Sequence, residues 1–469
     1  MTEKKLFRSE RDSIGIKDVP VDALYGVQTL RAAENFQITH TLVHPEMVKS
    51  MAAVKKACAI VNKRVGTIKP EVADAIIEAS EEVMAGKYLD EFITDAIQGG
   101  AGTSMNMNAN EVIANIAAVK LGGKPGDYDL VHPNNDVNFG QSTNDVIPTA
   151  GKLTALVLMK KLEKELGDLE KAFLAKSEEF DGIIKMGRTQ LQDAVPIRLG
   201  QEFHAYAEVT KRGLERIRKS EAELLSIPLG GTAIGTGINA DAEFYNTVCD
   251  EFAKVTGFEF KQAEDTIDAT QNIDGYAAVS SAIKNCALGL SKVGNDLRLL
   301  SSGPRTGIGE INLPAMQNGS SIMPGKVNPV IPEVLTQAAF LCAGNDVTIG
   351  MAVEAGQMEL NAFEPVTFYC LFGSIDALTG AVNTFIHNCV EGITANEQRC
   401  YDLLHSSVGT ITALNPYIGY QAAADTAKEA LKTGKPVREL ILEKGLLSEE
   451  ELEKVLDPFA MTKPGIPGK

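Results

Sequence analysis

The sequence predicts a mainly α-helical protein with a central bundle of long helices between two smaller domains. Three observations predict this fold class. Apolar residues recur at helical spacing over long stretches of residues 142–396, the alternation typical of β-strands is sparse, and the composition changes at both ends of that region. A chain of 469 residues is long enough for about three domains. We therefore expect an N-terminal domain at 1–141, a central helical domain at 142–396 and a small C-terminal helical domain at 397–469.

The N-terminal region, taken first, combines short helical patterns with polar loops. Two of these loops are rich in Asn and Gly, namely QGGAGTSMNMNAN (98–110) and HPNNDVNFGQSTND (132–145). Residues of this kind favour turns and leave backbone N–H groups free to face a ligand. We therefore expect ligand-binding loops in this domain.

The central region contains five long helical patterns. In the first, Leu162, Leu166, Leu169 and Phe173 are spaced by four, three and four residues, which places them on one helix face. Small residues dominate the third pattern, so other helices can approach it closely on several sides. Apolar surface on several sides predicts neighbours beyond the chain itself, which indicates an oligomer. The second to fifth patterns run, in order, at about 199–225, 270–302, 329–349 and 364–389.

The C-terminal region is dense in charge and has shorter helical patterns. Ser448 followed by Glu451 predicts a capping box that opens a short helix. Two short helices around LEKGLLSEEEL can be mistaken for a DNA-binding helix-turn-helix, but the local acidity favours a small helical cap domain.

The composition argues against several classes of function. Lys and Arg number 45 against 62 Asp and Glu, which gives a net charge of −17 with neutral His. Proteins that bind nucleic acid or anionic membranes usually carry a basic surface, so this acidity argues against both. The apolar fraction of 44% is ordinary for a globular protein and too high for a disordered chain.

The N-terminal residues and the cysteines predict a cytoplasmic protein. The first residues, MTEKKLFRSERDSIG, contain no apolar secretory core, and no stretch approaches about 18 uninterrupted apolar residues. The 7 cysteines are an odd number, widely scattered, with no Cys-x-x-Cys pair. This pattern is typical of buried thiols in a reducing compartment, not of disulfides or a zinc site.

The most informative motif is GSSIMPGKVNP (319–329), which we call the signature loop. Its glycines free backbone N–H groups, and Lys326 adds a positive charge, so the loop can hold an anion. A Walker A motif is excluded because five residues separate Gly319 from Gly325 and Val327 replaces the required Ser or Thr. On composition alone the segment is equally well an ordinary connecting loop.

A second motif, GQSTND (140–145), precedes the first long helix. Ser142, Thr143 and Asn144 can cap that helix, or they can bind a carboxylate at the same helix start. GRTQLQDAVP (187–196) is too polar for a helix interior, and GGAGTS (99–104) permits close backbone approach to a ligand.

Other chemistries find little support in the sequence. The Gly-rich GGTAIGTGIN (230–239) is weak evidence for a nucleotide site because no β-α-β pattern surrounds it. The 6 histidines show neither metal-ligand spacing nor HExxH. No GxSxG elbow occurs, so a Ser-His-Asp hydrolase is not expected.

The signature loop resembles that of the fumarase/aspartase superfamily, whose members cleave C–N or C–O bonds and release fumarate. The other polar segments match in the expected order, as does YGVQTLRA (25–32), so the resemblance covers essentially the whole chain. It is closest to the branch that deaminates L-aspartate. It implies a homotetramer whose central helices form one twenty-helix core, with each active site built from three subunits.

The resemblance also implies a role for each matched residue. Ser320 corresponds to the catalytic base. The remaining residues correspond to three binding groups: Thr103, Ser142, Thr143 and Ser321 for the β-carboxylate, Thr189, Lys326 and Asn328 for the α-carboxylate, and Asn144 and Gln190 for the amino group.

Position 190 departs from the pattern, because many members carry His there. A hydratase must activate water, and an imidazole paired with a carboxylate such as Glu333 can do so. Gln190 cannot move a proton at neutral pH, although its amide oxygen can accept a hydrogen bond from an ammonium group. The protonated amine is already a leaving group, so Gln190 favours a deaminase over a hydratase.

Several consequences of the resemblance are expectations about partners and cofactors. The expected partners are the dicarboxylate pair L-aspartate and fumarate, ammonia, and further copies of the chain. No cofactor is required, no metal-ligand cluster is present, and the sequence does not decide whether Mg²⁺ activates the enzyme. The alternatives are a malate/fumarate hydratase and a non-catalytic structural tetramer of the superfamily.

Overall fold

The structure is a computed structural model that describes residues 6–469, and it is mainly helical. Its helices are α1 (Val27–Asn35), α2 (Pro45–Val65), α3 (Pro70–Met84), α4 (Thr103–Lys120), α5 (Thr143–Glu179), α6 (Leu199–Ser220), α7 (Ala242–Thr256), α8 (Thr266–Gln271), α9 (Asp274–Leu300), α10 (Val330–Glu354), α11 (Glu364–Asn388), α12 (Glu397–Ser406), α13 (Asn415–Ile418), α14 (Tyr420–Thr433), α15 (Val437–Glu443) and α16 (Glu449–Val455). The prediction of a mainly α-helical fold is confirmed.

The strands are short and form two-stranded sheets. They are β1 (Phe7–Arg11), β2 (Ile16–Pro20), β3 (Ile184–Thr189), β4 (Gln192–Arg198), β5 (Ser226–Ile227), β6 (Lys261–Gln262), β7 (Ile311–Asn312) and β8 (Thr394–Ala395). The pairs β1–β2, β3–β4 and β7–β8 are antiparallel, whereas β5 and β6 pair in parallel. The sequence prediction missed the β3–β4 hairpin, since it treated residues 187–196 as a polar loop.

All five predicted long helices are present as α5, α6, α9, α10 and α11, with ends that differ by a few residues. One of the two largest differences follows from local geometry: residues 221–224 form a 3₁₀ turn, which ends α6 at Ser220. The other is at the end of α10, which continues to Glu354. The apolar stripe on α5 is buried as predicted, because Leu162, Leu166, Leu169 and Phe173 are all 0% exposed.

Small residues bring long helices close together in the interior. A Cβ added to Gly151 of α5 would lie 2.3 Å from Phe368 of α11 and 2.7 Å from the Tyr276 hydroxyl of α9. That hydroxyl donates to the Pro148 carbonyl of α5 at 2.7 Å, which satisfies a buried acceptor near the proline. Larger side chains at Gly151 would force these helices apart.

The C-terminal helices have a hydrophobic core of their own. The core includes Leu414, Leu440, Ile441 and Leu452, each at most 1% exposed. The predicted capping box opens α16: Ser448 Oγ accepts from the Glu451 N–H at 3.3 Å, and the Glu451 carboxylate accepts from the Ser448 N–H at 2.9 Å. That prediction is confirmed.

The chain divides into two compact units. The first unit comprises the described chain up to Glu163 together with Glu215–Cys286 and Phe340–Thr379, and the second comprises Lys164–Leu214, Ala287–Ala339 and Gly380–Lys469. The unit boundaries fall inside α5, α6, α9, α10 and α11. The division into domains at 141 and 396 stays a prediction.

One segment, Glu364–Gly392, has the length and composition of a membrane-spanning helix, with a mean hydropathy of 1.3. However, 61% of its most apolar stretch is buried inside the protein. A helix surrounded by other helices is apolar on most faces, so this burial is typical of a core helix.

Candidate active site

In the first unit, the 140–145 loop places Ser142 at the start of α5. Ser142 Oγ accepts from the Asn144 N–H at 3.2 Å, and the Ser142 N–H donates to the Asp145 carboxylate at 2.9 Å. This reciprocal arrangement is a helix cap, as one of the two sequence interpretations expected. A hydroxyl that accepts a hydrogen bond still has its own hydrogen to donate, so capping leaves Ser142 able to bind a carboxylate.

The start of α4 packs against the start of α5. A Cβ on Gly102 would lie 2.9 Å from Ile147, so glycine is needed for this close approach. The next residue, Thr103, is exposed at the helix start, and its hydroxyl donates to the Gly100 carbonyl at 2.7 Å. Asn106, one turn further along α4, donates to Thr143 Oγ1 at 3.2 Å. The structure therefore brings two predicted carboxylate-binding segments together.

Two buried charged residues, Lys55 and Asp145, stabilise the 140–145 loop from the protein interior. Lys55 of α2 is 0% exposed and donates to the amide oxygens of Asn138 at 2.8 Å and Gln141 at 2.9 Å. Burial lowers the pKa of Lys55 to about 7 and raises the pKa of Asp145 to about 6. The attraction between the two charges partly offsets the free-energy cost of burying each of them. The pair therefore fixes the loop, but the remaining cost of desolvation lowers the stability that it adds.

The glycine-rich segment, residues 230–239, packs onto the same loop. The N–H groups of Gly230 and Thr232 donate to the Asp145 carboxylate at 3.1 and 3.0 Å. Asn144 Nδ2 donates to the Ala233 carbonyl at 2.7 Å. The sequence interpretation singled out this segment but missed its role, because the contact joins residues far apart in the chain.

In the second unit, Thr189 and Gln190 lie at the tip of the β3–β4 hairpin. Thr189 pairs with Gln192, so Gln190 and Leu191 form a two-residue turn. Their φ angles are +54° and +61°, a left-handed conformation that glycine and asparagine usually supply. Strained backbone of this kind is concentrated at functional sites. The side chains of Thr189 and Gln190 are exposed, as binding residues require.

A buried charge cluster anchors that hairpin. Glu310 is 0% exposed and accepts from Arg188, next to Thr189, at 2.9 and 3.1 Å. Lys185 lies 3.0 Å from Glu310 and donates to Glu202 at 2.8 Å. Burial raises the pKa of Glu202. Glu310 precedes β7, so this ion pair joins the hairpin to the segment that leads to the signature loop.

The signature loop closes on itself. The Gly319 N–H donates to the Lys326 carbonyl at 2.9 Å, and Asn328 Nδ2 donates to the Gly319 carbonyl at 2.7 Å. A Cβ on Gly319 would lie 2.4 Å from the Lys326 oxygen, so glycine is required there. Asn328 keeps a second N–H for a ligand. The side chains of Ser321 and Lys326 are exposed to solvent.

Ser320, the residue predicted to be the base, accepts two backbone hydrogen bonds within the signature loop. Its Oγ accepts from the N–H groups of Ile322 at 3.2 Å and Met323 at 3.0 Å. Hydrogen bonds donated to an oxygen favour its deprotonated form. Glu333, the carboxylate that would orient an imidazole at position 190, instead faces Arg298 at 3.7 Å.

The sequence interpretation missed the supporting residues Lys55, Asn106, Asp145, Arg188 and Glu310. Two of them left a signal. Lys55 has only apolar residues three and four positions away on either side, which places a charge on the apolar face of α2, and Asp145 follows Ser142 at the capping-box spacing. Among the described residues, no group of three or more His, Cys, Asp or Glu side chains is arranged to hold a metal ion.

Comparisons with known proteins place the chain in a family of lyases. Residues 15–344 match the family described as Lyase, and residues 411–463 match the family described as Fumarase C C-terminus. An aspartate ammonia-lyase from Bacillus sp is 52% identical and covers 98% of this chain and 99% of its own length. The aspartate ammonia-lyase of Bacillus subtilis (strain 168) is 51% identical and covers 99% and 98%.

Solved structures show the same fold. A fumarate lyase:delta crystallin from Brucella melitensis bound to cobalt has a TM-score of 0.95 at 46% identity, covering 98% of this chain and 100% of that one. A class II fumarase from Schistosoma mansoni has a TM-score of 0.94 at 34% identity with the same coverage. Family, sequence identity and fold agree over nearly the full length, and the chain therefore belongs to the fumarase/aspartase superfamily of lyases.

Proposed function

We propose that this protein is an aspartate ammonia-lyase, a carbon-nitrogen lyase that converts L-aspartate reversibly to fumarate and ammonia. Its similarity to aspartate ammonia-lyases, at about half of all positions over the full chain, supports this reaction over hydration of fumarate. One structural observation carries the proposal: Ser320, the predicted base, already accepts two backbone N–H groups.

The reaction depends on one difficult proton. The hydrogen that leaves lies next to the β-carboxylate, so its removal places a second negative charge on a group that is already charged. An enzyme lowers this barrier by stabilising the enediolate more than the ground-state carboxylate. Thr103, Ser142, Thr143 and Ser321 are the proposed donors, and their hydroxyls can each donate a hydrogen bond.

Ser320 is the proposed base that takes this proton. An ordinary hydroxyl is a weak base, so its alkoxide form needs stabilisation. The N–H groups of Ile322 and Met323 supply two donors, and the positive charge of Lys326 on the same loop adds to them. The overall charge of −17 repels a dicarboxylate at long range, so binding depends on local groups of this kind.

The α-carboxylate and the amino group of the substrate are assigned to neutral side chains and one cation, Lys326. Thr189, Lys326 and Asn328 are the proposed partners of the α-carboxylate. Asn144 and Gln190 are the proposed partners of the amino group. Because Gln190 offers an amide oxygen and no titratable proton, it suits a leaving group that is already protonated. All chemical steps are assigned to side chains, and no organic cofactor is required.

The active enzyme is proposed to be a homotetramer in the cytoplasm. Phe340, Val347 and Met351 of α10 are spaced by seven and four residues and are 64%, 64% and 69% exposed in a single chain. Such an apolar helix face favours burial against another copy. All 7 cysteines are free and buried, which agrees with a reducing compartment.

The ultraviolet absorbance of fumarate tests this function directly. The enzyme is incubated with L-aspartate and with L-malate in parallel cuvettes. Fumarate formed from aspartate alone is the expected result. Fumarate from malate would instead identify a hydratase, and turnover of neither substrate would identify a non-catalytic relative. Light scattering at micromolar concentration tests the tetramer, and a monomeric mass would contradict it.

A further inference from the structure

The glycine-rich segment, residues 230–239, lies between β5 and α7, and the proposed reaction assigns none of its residues to the substrate. A phosphate-binding loop would present its N–H groups to a ligand, following a strand in a β-α-β unit. Here the N–H groups of Gly230 and Thr232 are already used by Asp145. The segment is therefore built to hold another part of this protein rather than a nucleotide.

The Asp145 carboxylate joins two loops at fixed distances. It is 0% exposed, and it accepts from Ser142 on one oxygen and from Gly230 and Thr232 on the other. Three N–H donors on one buried carboxylate leave little freedom for either loop, because moving one loop leaves a buried charge without partners. The position of residues 230–233 therefore determines which backbone groups contact Asn144 and Asp145 of the 140–145 loop.

The contact with Ala233 fixes which way the amide of Asn144 faces. A backbone carbonyl oxygen can only accept a hydrogen bond, so the Asn144 atom 2.7 Å away must be the nitrogen. The amide is planar, and its oxygen is therefore held away from Ala233. A hydrogen-bond acceptor is what a protonated amine needs, since an ammonium group offers three donors and no acceptor.

We propose that the glycine-rich segment is a positioning element of the active site, which uses the Ala233 carbonyl to orient the Asn144 amide oxygen toward the substrate amino group. This inference rests on the proposed function and adds to it a source of selectivity for the amine. The backbone of the segment is held in a fixed conformation by a residue with positive φ and by a close contact. Thr232 has φ +56°, and a Cβ on Gly235 would lie 2.5 Å from the backbone of Ile267.

Two variants test the proposal in the amination direction, where the KM values for ammonia and fumarate are measured separately. Asn144→Asp keeps an acceptor and adds a negative charge that attracts ammonium, but it cannot donate to Ala233. If Asn144 acted only as an acceptor, this variant would bind ammonia as well as the wild type or better. We expect the KM for ammonia to rise by about tenfold, the effect of one misplaced hydrogen bond, with that for fumarate within about twofold.

Gly235→Ala moves the segment without changing any residue assigned to bind substrate. It should also raise the KM for ammonia more than the KM for fumarate. Gly66→Ala is the matched control, because Gly66 has a similar positive φ of +76° and a Cβ there would enter open space. The control should leave both constants within about twofold of wild type, since only backbone strain is added.

The outcomes separate this inference from the proposed function. Wild-type enzyme that does not interconvert aspartate and fumarate overturns both. Active wild type with an Asn144→Asp variant whose KM for ammonia is unchanged or lower overturns the inference alone. Equal changes in both KM values in Gly235→Ala also overturn it, because a general structural defect has no preference for ammonia. If Gly235→Ala does not fold, Asn144→Asp decides, since residue 144 is only half-buried.

Discussion

The 140–145 loop and the signature loop are both assigned to the substrate, but they are held in different ways. The first contains a fully buried carboxylate, Asp145, which accepts hydrogen bonds from the loop itself and from the glycine-rich segment. The hydrogen bonds described for the signature loop join its residues to each other or to the first turn of α10, and residues 321–327 are exposed.

This difference matches the chemistry assigned to each loop. Donors that stabilise developing charge work best when they need no rearrangement during the reaction, so a rigid 140–145 loop is favourable. A loop that carries the base can exclude water by closing over the substrate, and a segment with few outside contacts can move at low cost. We therefore predict that changes in the signature loop affect catalysis with little effect on stability, whereas changes near Asp145 affect both.

The largest effect is expected from Ser320→Ala. Removing the base should lower kcat by about 10³-fold, in the range of a lost proton-transfer group, while aspartate still binds. Steady-state formation of fumarate measures the rate, and isothermal titration calorimetry measures binding. Ser321→Ala is the matched control within the loop and should lose less, since it removes one donor of several. Near-normal turnover in Ser320→Ala would place the base elsewhere.

Asp145 gives the 140–145 loop a contribution to stability that depends on pH. Burial raises the pKa of Asp145 from 3.8 to about 6 in the folded state. The folded protein therefore holds this proton more tightly than the unfolded chain, so the contribution to stability is full below about pH 4 and lost as the pH rises to about 6. Lys55, with a pKa lowered to about 7, titrates above this window.

The variant Asp145→Asn cannot ionise and should lack this contribution. Between pH 4 and pH 6, the free energy of unfolding should shift in favour of the variant by about 2 kcal/mol relative to wild type, because Asp145 is still half protonated at pH 6 in the folded state and part of the pKa shift acts outside this window. Urea denaturation at fixed protein concentration measures it. Asp241→Asn, at the exposed cap of α7, is the control. Parallel pH profiles for wild type and Asp145→Asn would contradict the assignment.

Gly319→Ala should separate catalysis from stability. The added Cβ meets the Lys326 carbonyl and must move the loop, and misplacement of a catalytic group by about 1 Å can cost about 10²-fold in kcat. The midpoint of thermal unfolding should stay within about 2 °C of wild type, because few contacts outside the loop are lost. Gly182→Ala, where a Cβ enters open space, is the control. A large loss of stability would show that the loop is part of the structural core.

Lys326→Ala should mainly weaken binding. Loss of a hydrogen bond to a charged group should raise the KM for aspartate by about 30-fold. Lys432→Ala, an exposed lysine on α14, removes the same charge outside the proposed site and should leave the KM unchanged. Unchanged KM and kcat in Lys326→Ala would remove Lys326 from the α-carboxylate site.

The sequence alone determined the helical fold class and the long helices. A buried stripe such as Leu162, Leu166, Leu169 and Phe173 is a local repeat, so its spacing is visible without coordinates. The capping box at Ser448 is local in the same way. The motif order of the loops also gave the superfamily, because each motif is a short run of neighbouring residues.

Only the tertiary structure decided what supports those loops. Asp145 accepts from Gly230 and Thr232, more than eighty residues away in the chain, and Arg188 donates to Glu310 across more than a hundred. The turn at Gln190 and Leu191 has positive φ without the glycine that usually marks it. Sequence periodicity records which face of an element is buried, whereas the partner of a buried charge is set by how distant segments pack, and no local pattern encodes that choice.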